Sequence, residues 1–375
     1  MPTHIRPLEG CTADDRALVG GKAIGLGSLL REGLQVPPGF AVTTDAYRES
    51  VVWTGLQSEV VRLLDRCLTD EDVGRASEAI RAMFERAEVM DTVATEIALA
   101  YRDLGGGRPV PVAVRSSATA EDLGEASFAG QQETYLWVRG ADEVVDAVRR
   151  CWGSLFTPQA IAYRAHFGIP TRDLAMAVVV QRMVDAVAAG VMITLDPVTG
   201  DPSQITIEAS YGLGLAVVGG EVTPDRYGVD KVTWEIRSRA VNEKELAYRF
   251  DPERREVVAV DVPADDRALP ALADDEVVAL ARLGRAVERA QRGAQDIEWA
   301  IGPGLNGERE IFLLQTRPET VWSRRPRAPI ADPNEPILER MLRAMRQPLR
   351  LRDEGSTNGA SPGPTVAEES AGTVR

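Results

Sequence analysis

The sequence has few of the side chains that most often bind transition metals or form crosslinks. Only two histidines and three cysteines occur in 375 residues, and the cysteines form no CxxC pair. A structural zinc site or a disulfide framework needs closely spaced sets of such residues. Neither is therefore predicted, and free thiols indicate a reducing compartment.

The sequence also lacks long apolar runs and a surplus of positive charge. No apolar run approaches the roughly 20 residues that a membrane span needs, and residues 1–20 contain no basic-then-apolar leader. We therefore expect a soluble cytoplasmic protein. The formal net charge of −14 argues against a nucleic-acid binder. It does not exclude an anionic ligand, because a phosphate site needs only a few local donors.

Most of the chain has the composition of a globular protein, with 44% apolar and 27% charged residues. Strand-like and helical patterns alternate from about residue 10 to 322, which predicts an α/β or α+β fold. The predicted strands are 110–115, 175–183, 190–194, 204–209, 296–301 and 310–316. The predicted helices are 24–32, 59–68, 73–87, 92–104, 141–153 and 274–292.

The C-terminal part differs in character from the rest. Residues 323–352 hold eight Arg against three acidic residues, and we interpret 323–354 as a basic amphipathic helical segment. Its apolar stripe either packs back on the body or docks a partner subunit. Residues 355–375 are rich in Gly, Ser, Thr, Pro and Glu, so we expect a disordered tail. The stripe consists of Ile337, Leu338, Met341, Leu342 and Met345.

Two stretches in the N-terminal half carry candidate anion ligands. Gly20, Gly21 and Lys22 precede a predicted helix, where backbone amides and a positive charge suit an anion, although a plain helix-entry turn fits equally. Arg115 ends an apolar strand, so it needs a fixed acidic partner or a ligand phosphate. The small residues of 124–134 suit a flap whose amides cover phosphates, or a plain surface loop.

A pair of strands near residue 300 brings polar side chains onto one face. Period-two alternation places Asp296 and Glu298 on one face, and Gln315 and Arg317 share a face of the next strand. Carboxylate and amide oxygens suit Mg²⁺ that bridges nucleotide phosphates, and an arginine can stabilise a transferring phosphoryl group. The alternative is a solvated hairpin face with an Asp/Glu–Arg ion pair.

Taken in order, these stretches resemble the ATP-binding domain shared by phosphoenolpyruvate synthase, pyruvate phosphate dikinase and rifampin phosphotransferase. The resemblance spans roughly residues 12 to 320. It implies an ATP-grasp fold, of two α/β lobes with the nucleotide in the cleft between them, over residues 1–322. The motifs are GGKAIGLG, VPPGF, VRSSATAEDL, FAGQQETYL, VVVQRMV, AGVMITLDPVTG, IEASYGLG, VTPDRY, DIEWAI and FLLQTRP.

The resemblance implies roles for individual residues on the nucleotide side of the site. Lys22 and Arg115 would contact the phosphates of ATP. Gly130 and Thr134 would belong to the flap that covers those phosphates. Gln181 would lie near the adenosine part of the nucleotide.

The same resemblance implies a metal and transfer centre on the paired strands. Glu298 and Gln315 would be ligands of Mg²⁺, and Asp296 would act beside them in the same step. Arg317 would be needed for phosphoryl transfer, with Lys22 and Arg115 as further catalytic residues.

Two departures from the family pattern affect the predicted function. Leu215 stands where many relatives have Glu after the GLG motif, which leaves open a changed nucleotide geometry or a degenerate site. Family members also pass a phosphoryl group to a histidine on a swivelling domain. This chain has only His4, in the N-terminal leader, and His166, which lacks Gly/Ser-rich surroundings and is interpreted as structural.

Because the chain starts with Met and ends in a polar tail, we expect a complete protein whose carrier histidine lies on a separate subunit. The leading hypothesis is the ATP-binding subunit of a split dikinase, of the phenylphosphate synthase type, that phosphorylates a phenol. The first alternative is the ATP module of a split phosphoenolpyruvate synthase or rifampin-type phosphotransferase. A carboxylate–amine ligase that forms ADP and a non-catalytic ATP sensor or assembly subunit are the others.

Overall fold

The structure is a computed structural model that describes residues 4–65, 67, 69–118, 134–167, 169–171, 174–304 and 307–323. It combines helices with antiparallel sheets. The predicted flap around Gly130 and the segments from 324 onward, including the apolar stripe and the tail, lie outside the described residues. In chain order the elements are β1 (Ile5–Pro7), α1 (Arg16–Arg31), β2 (Gly39–Val42), α2 (Thr44–Trp53), α3 (Leu56–Leu64), α4 (Asp70–Arg86), α5 (Asp91–Leu104), β3 (Val112–Ala118), β4 (Thr134–Val138), α6 (Ala141–Gly153), α7 (Pro158–Phe167), β5 (Met176–Arg182), β6 (Ala188–Ile193), β7 (Gln204–Tyr211), α8 (Leu215–Val218), β8 (Asp225–Asp230), β9 (Ile236–Ala240), β10 (Leu246–Asp251), β11 (Glu256–Asp261), α9 (Asp274–Gln291), β12 (Gln295–Pro303) and β13 (Arg309–Pro318).

Every strand and helix predicted from the periodicity is present in the structure, with shifts at the ends. The largest shift is at α1, which begins at Arg16 instead of residue 24. Several short elements gave no clear pattern and were missed, among them α2, α7 and the strands β8–β11. None of the described helices combines the length and apolar character of a membrane span.

The first sheet has the strand order β1-β2-β5-β3-β4, and all its neighbours are antiparallel. One face packs against α2–α7 around the first core, to which β3 contributes Val112 and Val114 and β5 contributes Val178 and Val180. Because successive residues of a strand point to opposite faces, Arg115 leaves the other face, beside Val179 of β5.

The second sheet has the order β13-β12-β6-β7-β8-β9 and is also antiparallel. Its core face packs against α9 and α1, with Ile297 and Trp299 of β12 fully buried. Helix α1 contacts β3 and β5 of the first sheet and β13 of the second. Residues on α1 are thus held between the two sheets.

An ion pair without solvent exposure holds the second sheet to the segments that follow it. Lys244 and Asp225 are both 0% exposed, and Lys244 Nζ donates to Asp225 Oδ1 at 2.6 Å. The carboxylate also accepts backbone amides from Asn242 and Ala271. Each partner needs the other, because a buried charge without a counter-charge is costly.

Replacing Lys244 with Met should therefore destabilise the protein strongly. The change leaves Asp225 buried without its cation, and such losses cost about 3–5 kcal/mol. Arg75→Ala is the matched control, because Arg75 forms an exposed pair with Glu71 and exposed pairs contribute about 0–1 kcal/mol. Urea unfolding of both variants measures the difference. Equal losses would contradict the assignment of a structural role to the buried pair.

Candidate functional site

Lys22 lies in the first turn after a kink in α1. Gly20 interrupts the helix with φ 73° and ψ 173°, a conformation that glycine adopts without strain. A Cβ at Gly20 would lie 2.4 Å from the Ser117 carbonyl oxygen, and Ser117 Oγ donates to the Val19 carbonyl at 2.9 Å. The kink is thus fixed by β3, and Lys22 follows at a helix N-terminus, as the glycine pair predicted.

The same helix is held tightly against β13. A Cβ at Gly25 would lie 2.8 Å from the Thr316 carbonyl oxygen, so only glycine permits this approach. Lys22 and Gly25 are three residues apart and share a helix face. Lys22 is therefore directed toward the strand that carries Gln315 and Arg317.

The hairpin of β12 and β13 contains a β-bulge at the site. Asp296 pairs with Arg317 and Glu298 with Gln315, but Trp299 pairs with Leu313. Leu314 is therefore the extra residue of β13. The bulge keeps Leu313 on the core face while Gln315 and Arg317 lie on the face of the two carboxylates, as predicted. Bulges of this kind often redirect side chains beside functional sites.

Arg115 connects the two sheets. From β3 of the first sheet, its Nη2 donates to Glu298 Oε2, and its Nη1 donates to the Leu314 carbonyl at 3.1 Å. The Arg115 side chain is 15% exposed and that of Glu298 is 25% exposed. The acidic partner that the sequence required is thus Glu298. Thr134, at the start of β4, pairs directly with Arg115.

Electrostatics favour the charged form of Glu298. Burial acts to raise its pKa, but Arg115 acts in the opposite direction through charge and a hydrogen bond. Lys22 and Arg317 add further positive charge. The net result is a pKa of Glu298 below its ordinary value. Lys22, Arg115 and Arg317 are thus each close enough to Glu298 to act on its charge.

A second ion pair lies beside the first, nearer the end of the hairpin. Arg317 Nε and Nη2 both donate to Asp296 Oδ2, at 2.8 Å and 2.6 Å. Arg317 is 51% exposed, whereas Asp296 is 22% exposed. This is the ion pair of the alternative prediction, so the pairing alone does not establish a function for the hairpin face.

Gln315 gives an observation that an ion-paired hairpin does not explain. Its Oε1 is buried and has no hydrogen-bond partner among the described residues, although buried acceptors are nearly always satisfied. It lies opposite Glu298 in the register. An amide oxygen beside a carboxylate fits a hard cation such as Mg²⁺. The described residues contain no group of three or more His, Cys, Asp or Glu suited to a metal.

Gln181 lies apart from these charges but on the same face of the first sheet as Arg115. Its cross-strand neighbour is Ala113, and that of Arg115 is Val179. Gln181 is 2% exposed, and its Nε2 donates to the Pro37 carbonyl at 3.2 Å. This amide group is thus fixed by the protein itself, which the sequence pattern did not indicate.

The other residues discussed in the sequence analysis lie outside the ion pairs of the site. Leu215 is the first residue of α8 and is 37% exposed. His4 is 5% exposed and contacts Glu49 and Glu96 at 3.1 Å each. His166 lies in the last turn of α7, which packs against α4. Neither histidine joins the ion pairs of the site.

Comparisons with known proteins identify the family. Residues 16–336 match the family described as pyruvate phosphate dikinase, AMP/ATP-binding domain. The chain is 43% identical to phosphoenolpyruvate synthase of Aeropyrum pernix, over 88% of this chain and 44% of that protein. It is 45% identical to a probable phosphoenolpyruvate synthase of Archaeoglobus fulgidus, over 82% and 40%, and 42% identical to one of Methanocaldococcus jannaschii, over 84% and 26%.

The chain therefore belongs to the family of pyruvate phosphate dikinase AMP/ATP-binding domains. It spans less than half the length of these relatives. The family resemblance predicted from the motifs is confirmed. The relatives are named phosphoenolpyruvate synthase and not phenylphosphate synthase, so they favour the first alternative over the leading hypothesis.

The stability of the protein should depend on pH through Glu298. Because its folded pKa lies below the ordinary value of 4.5, the charged carboxylate stabilises the folded state. This contribution is complete above about pH 4.5 and is lost as the pH falls through the folded pKa. Urea unfolding at pH 7 and pH 4 should show a smaller acid-induced loss for Glu298→Gln than for the wild type.

The control for that comparison is Glu71→Gln, because Glu71 is 79% exposed. We expect this variant to follow the wild-type pH dependence. If Glu298→Gln followed it too, the carboxylate would not carry the stabilisation assigned to it.

Proposed function

We propose that the chain is the ATP-binding, phosphoryl-transferring module of a phosphoenolpyruvate synthase-type dikinase, with an ATP-grasp arrangement of its two sheets. The observation that carries the proposal is the convergence of six side chains from both sheets and α1. These are Lys22, Arg115, Asp296, Glu298, Gln315 and Arg317. A group of side chains that combines cations with oxygen ligands suits a nucleoside triphosphate and its metal.

The charge balance of this group supports an anionic ligand. Three cations, Lys22, Arg115 and Arg317, face the two carboxylates Asp296 and Glu298. Both arginines are paired with carboxylates in the structure, so the binding of a phosphate would exchange one anionic partner for another. Such an exchange avoids the cost of leaving a desolvated guanidinium without a partner.

The exchange would also release the carboxylates for a cation. Once Arg115 turns to phosphate, Glu298 and Gln315 would hold Mg²⁺, with Asp296 beside them; the Gln315 Oε1 has no partner in the part of the chain that the structure describes. When bound, Mg²⁺ neutralises charge on the phosphates and draws electron density from the bond that breaks. Thr134 lies beside Arg115, where the flap with Gly130 would cover the phosphates, and Gln181 would border the adenosine.

Arg317 is suited to the transfer step because it is half exposed at the end of the hairpin. Its guanidinium would stabilise the negative charge on the transferring phosphoryl group. The overall reaction of ATP with water and an acceptor histidine would give AMP, orthophosphate and a phosphohistidine, because one of the two phosphoryl groups released passes to the imidazole and the other to water. That histidine would lie outside the residues that form this site, on a partner subunit or on another part of a longer chain.

The names of the relatives support phosphoenolpyruvate synthesis over the phosphorylation of a phenol. None of the relatives reported above is named for a phenolic acceptor. A non-catalytic ATP sensor is the remaining candidate of another class, because Leu215 replaces a frequent Glu. The formation of AMP distinguishes a dikinase from a sensor, since a sensor binds ATP without forming AMP.

Replacing Arg317 with Ala should lower the rate of AMP formation about 100- to 1000-fold, the effect of removing one charge-stabilising donor, with little change in ATP affinity. Arg309→Ala is a closely matched control. It lies at the other end of β13, is 52% exposed and pairs with Glu276. The assay supplies ATP, Mg²⁺ and a histidine-bearing acceptor domain. ADP as the sole product, or equal rates for both variants, would contradict the proposal.

Replacing Gln315 with Ala should raise the Mg²⁺ concentration at the midpoint of a titration about tenfold or more. This is the scale expected when a group that supports a metal site is removed. The measurement is thermal unfolding with a non-hydrolysable ATP analogue across a Mg²⁺ titration. The control is Gln35→Ala, because Gln35 donates to Glu310 on an exposed part of β13. Identical midpoints for Gln315→Ala and wild type would exclude Gln315 as a ligand.

A further inference from the structure

Three buried hydrogen-bond donors without partners line one cleft in the helical layer that covers the first sheet. They are the Ser50 hydroxyl on α2 and, on α6, the Arg149 Nε–H and the Trp152 Nε1–H. None of these atoms has a hydrogen-bond partner among the described residues. All three residues border a cleft of about 200 Å³ that is partly open to solvent, which we call the α2–α6 cleft. One unsatisfied buried group is common in a protein, but three at one cleft indicate a place for a ligand.

The surrounding structure fixes the two donors on α6. Arg149 and Trp152 are three residues apart and share a face of that helix. Arg149 Nη1 donates to the Ala87 carbonyl at 2.7 Å, and its Nη2 donates to Asp146 Oδ1 at 2.6 Å. Trp152 is 2% exposed, and its ring meets that of Tyr47 edge to face at 5.8 Å. Donors that are already held in place lose little entropy when a ligand binds.

The kinds of donor restrict the ligand. An indole N–H and a guanidinium N–H can only donate, so the ligand must offer acceptors, and a third if the Ser50 hydroxyl also donates. A carboxylate has about four lone-pair sites on two oxygens, whereas the carbonyl oxygen of an amide has two. One carboxylate can therefore satisfy all three donors, and one neutral amide cannot.

The charges around the cleft favour an anion with a single charge. Of the described residues that line it, Arg149 alone carries a positive charge, and its side chain is 17% exposed. Its partner Asp146 is 52% exposed, and Glu88, which also borders the cleft, is exposed. Water screens these two carboxylates more than it screens the guanidinium. A dianion such as phosphate would bring a second charge for which this wall has no buried cation.

The rest of the wall is apolar. Val51, Leu56 and Phe84 border the cleft, and all three are buried members of the first core. The hydroxyl of Thr54, which also borders it, is already used, because it donates to the Ser50 carbonyl at 2.8 Å. Such a wall suits the hydrocarbon part of a ligand, since apolar surface gains free energy when it leaves water.

We propose that the α2–α6 cleft is a binding site for a small monocarboxylate with a short aliphatic body. Its carboxylate accepts the three donors, and its aliphatic body packs on the apolar wall. The helices that form the cleft cover one face of the first sheet, and Arg115 leaves the other face. The site is therefore separate from the nucleotide site and does not rest on the proposed function.

A titration of the full chain with sodium butyrate at pH 7 tests the proposal, with thermal unfolding as the measurement. Butyrate should raise the unfolding temperature in a saturable way compared with equal concentrations of sodium chloride, because a ligand of the folded state stabilises it. Trp152→Phe keeps an aromatic ring and removes the N–H, and Ser50→Ala removes one oxygen. Each should raise the Kd for butyrate about tenfold or more, the effect of losing one hydrogen bond to a charged group.

The control is Trp53→Phe, the same change at a side chain of α2 that is 52% exposed and outside the cleft. It should leave the Kd for butyrate at the wild-type value. A cooperative unfolding transition shows that each variant is folded. Butyramide, the neutral amide of the same size, should bind at least tenfold more weakly than butyrate.

Three results would overturn the proposal. A wild-type protein that responds to butyrate no more than to chloride would leave the cleft as a place for water alone. Wild-type affinity in both Trp152→Phe and Ser50→Ala would mean that butyrate binds elsewhere. Equal affinities for butyrate and butyramide would show that the site does not select a carboxylate.

Discussion

The Arg115 guanidinium is the group on which the geometry of the site depends. It extends from a strand of the first sheet and is largely removed from water, so it requires an anion and further acceptors at a fixed place. Glu298 and the carbonyl of Leu314 meet that requirement from the second sheet. The carbonyl is turned outward by the bulge in β13. One cation thus links two sheets that are built from distant parts of the chain.

The Arg115–Glu298 ion pair also restricts which ligand could separate its two partners. A neutral ligand that separated them would leave both charges without partners. An anion alone would pair with Arg115 but leave the Glu298 carboxylate beside new negative charge. A ligand that brings phosphate together with a divalent cation satisfies both groups at once. The ion pairs that argue for an ordinary hairpin face are therefore compatible with a nucleotide site. The Oε1 of Gln315, which has no hydrogen-bond partner among the described residues, favours a nucleotide site over an ordinary hairpin face.

Much of the fold was predictable because periodicity reports which face of an element is buried. The alternation of 296–301 correctly placed Asp296 and Glu298 together. The bulge at Leu314 could not be predicted, since one extra residue in a strand leaves no mark in the composition. The early start of α1 was missed because Gly20 and Gly21 indicate a turn, and only contact with Ser117 shows that helix continues on both sides of the kink. The residue roles stay predictions.

The identity of the acceptor was not predictable from this chain, for a reason that lies in the charges. Among the described residues, Arg115 is paired with Glu298 and Arg317 with Asp296, and the roles that we propose for these groups are toward phosphate and metal. On the proposed function, selectivity for the acceptor would lie outside these groups. Such a division would let one ATP module serve different acceptors. It would also explain why the sequence predicted the residues on the ATP side of the site but not the acceptor. The comparisons were needed to favour phosphoenolpyruvate synthesis over a phenol.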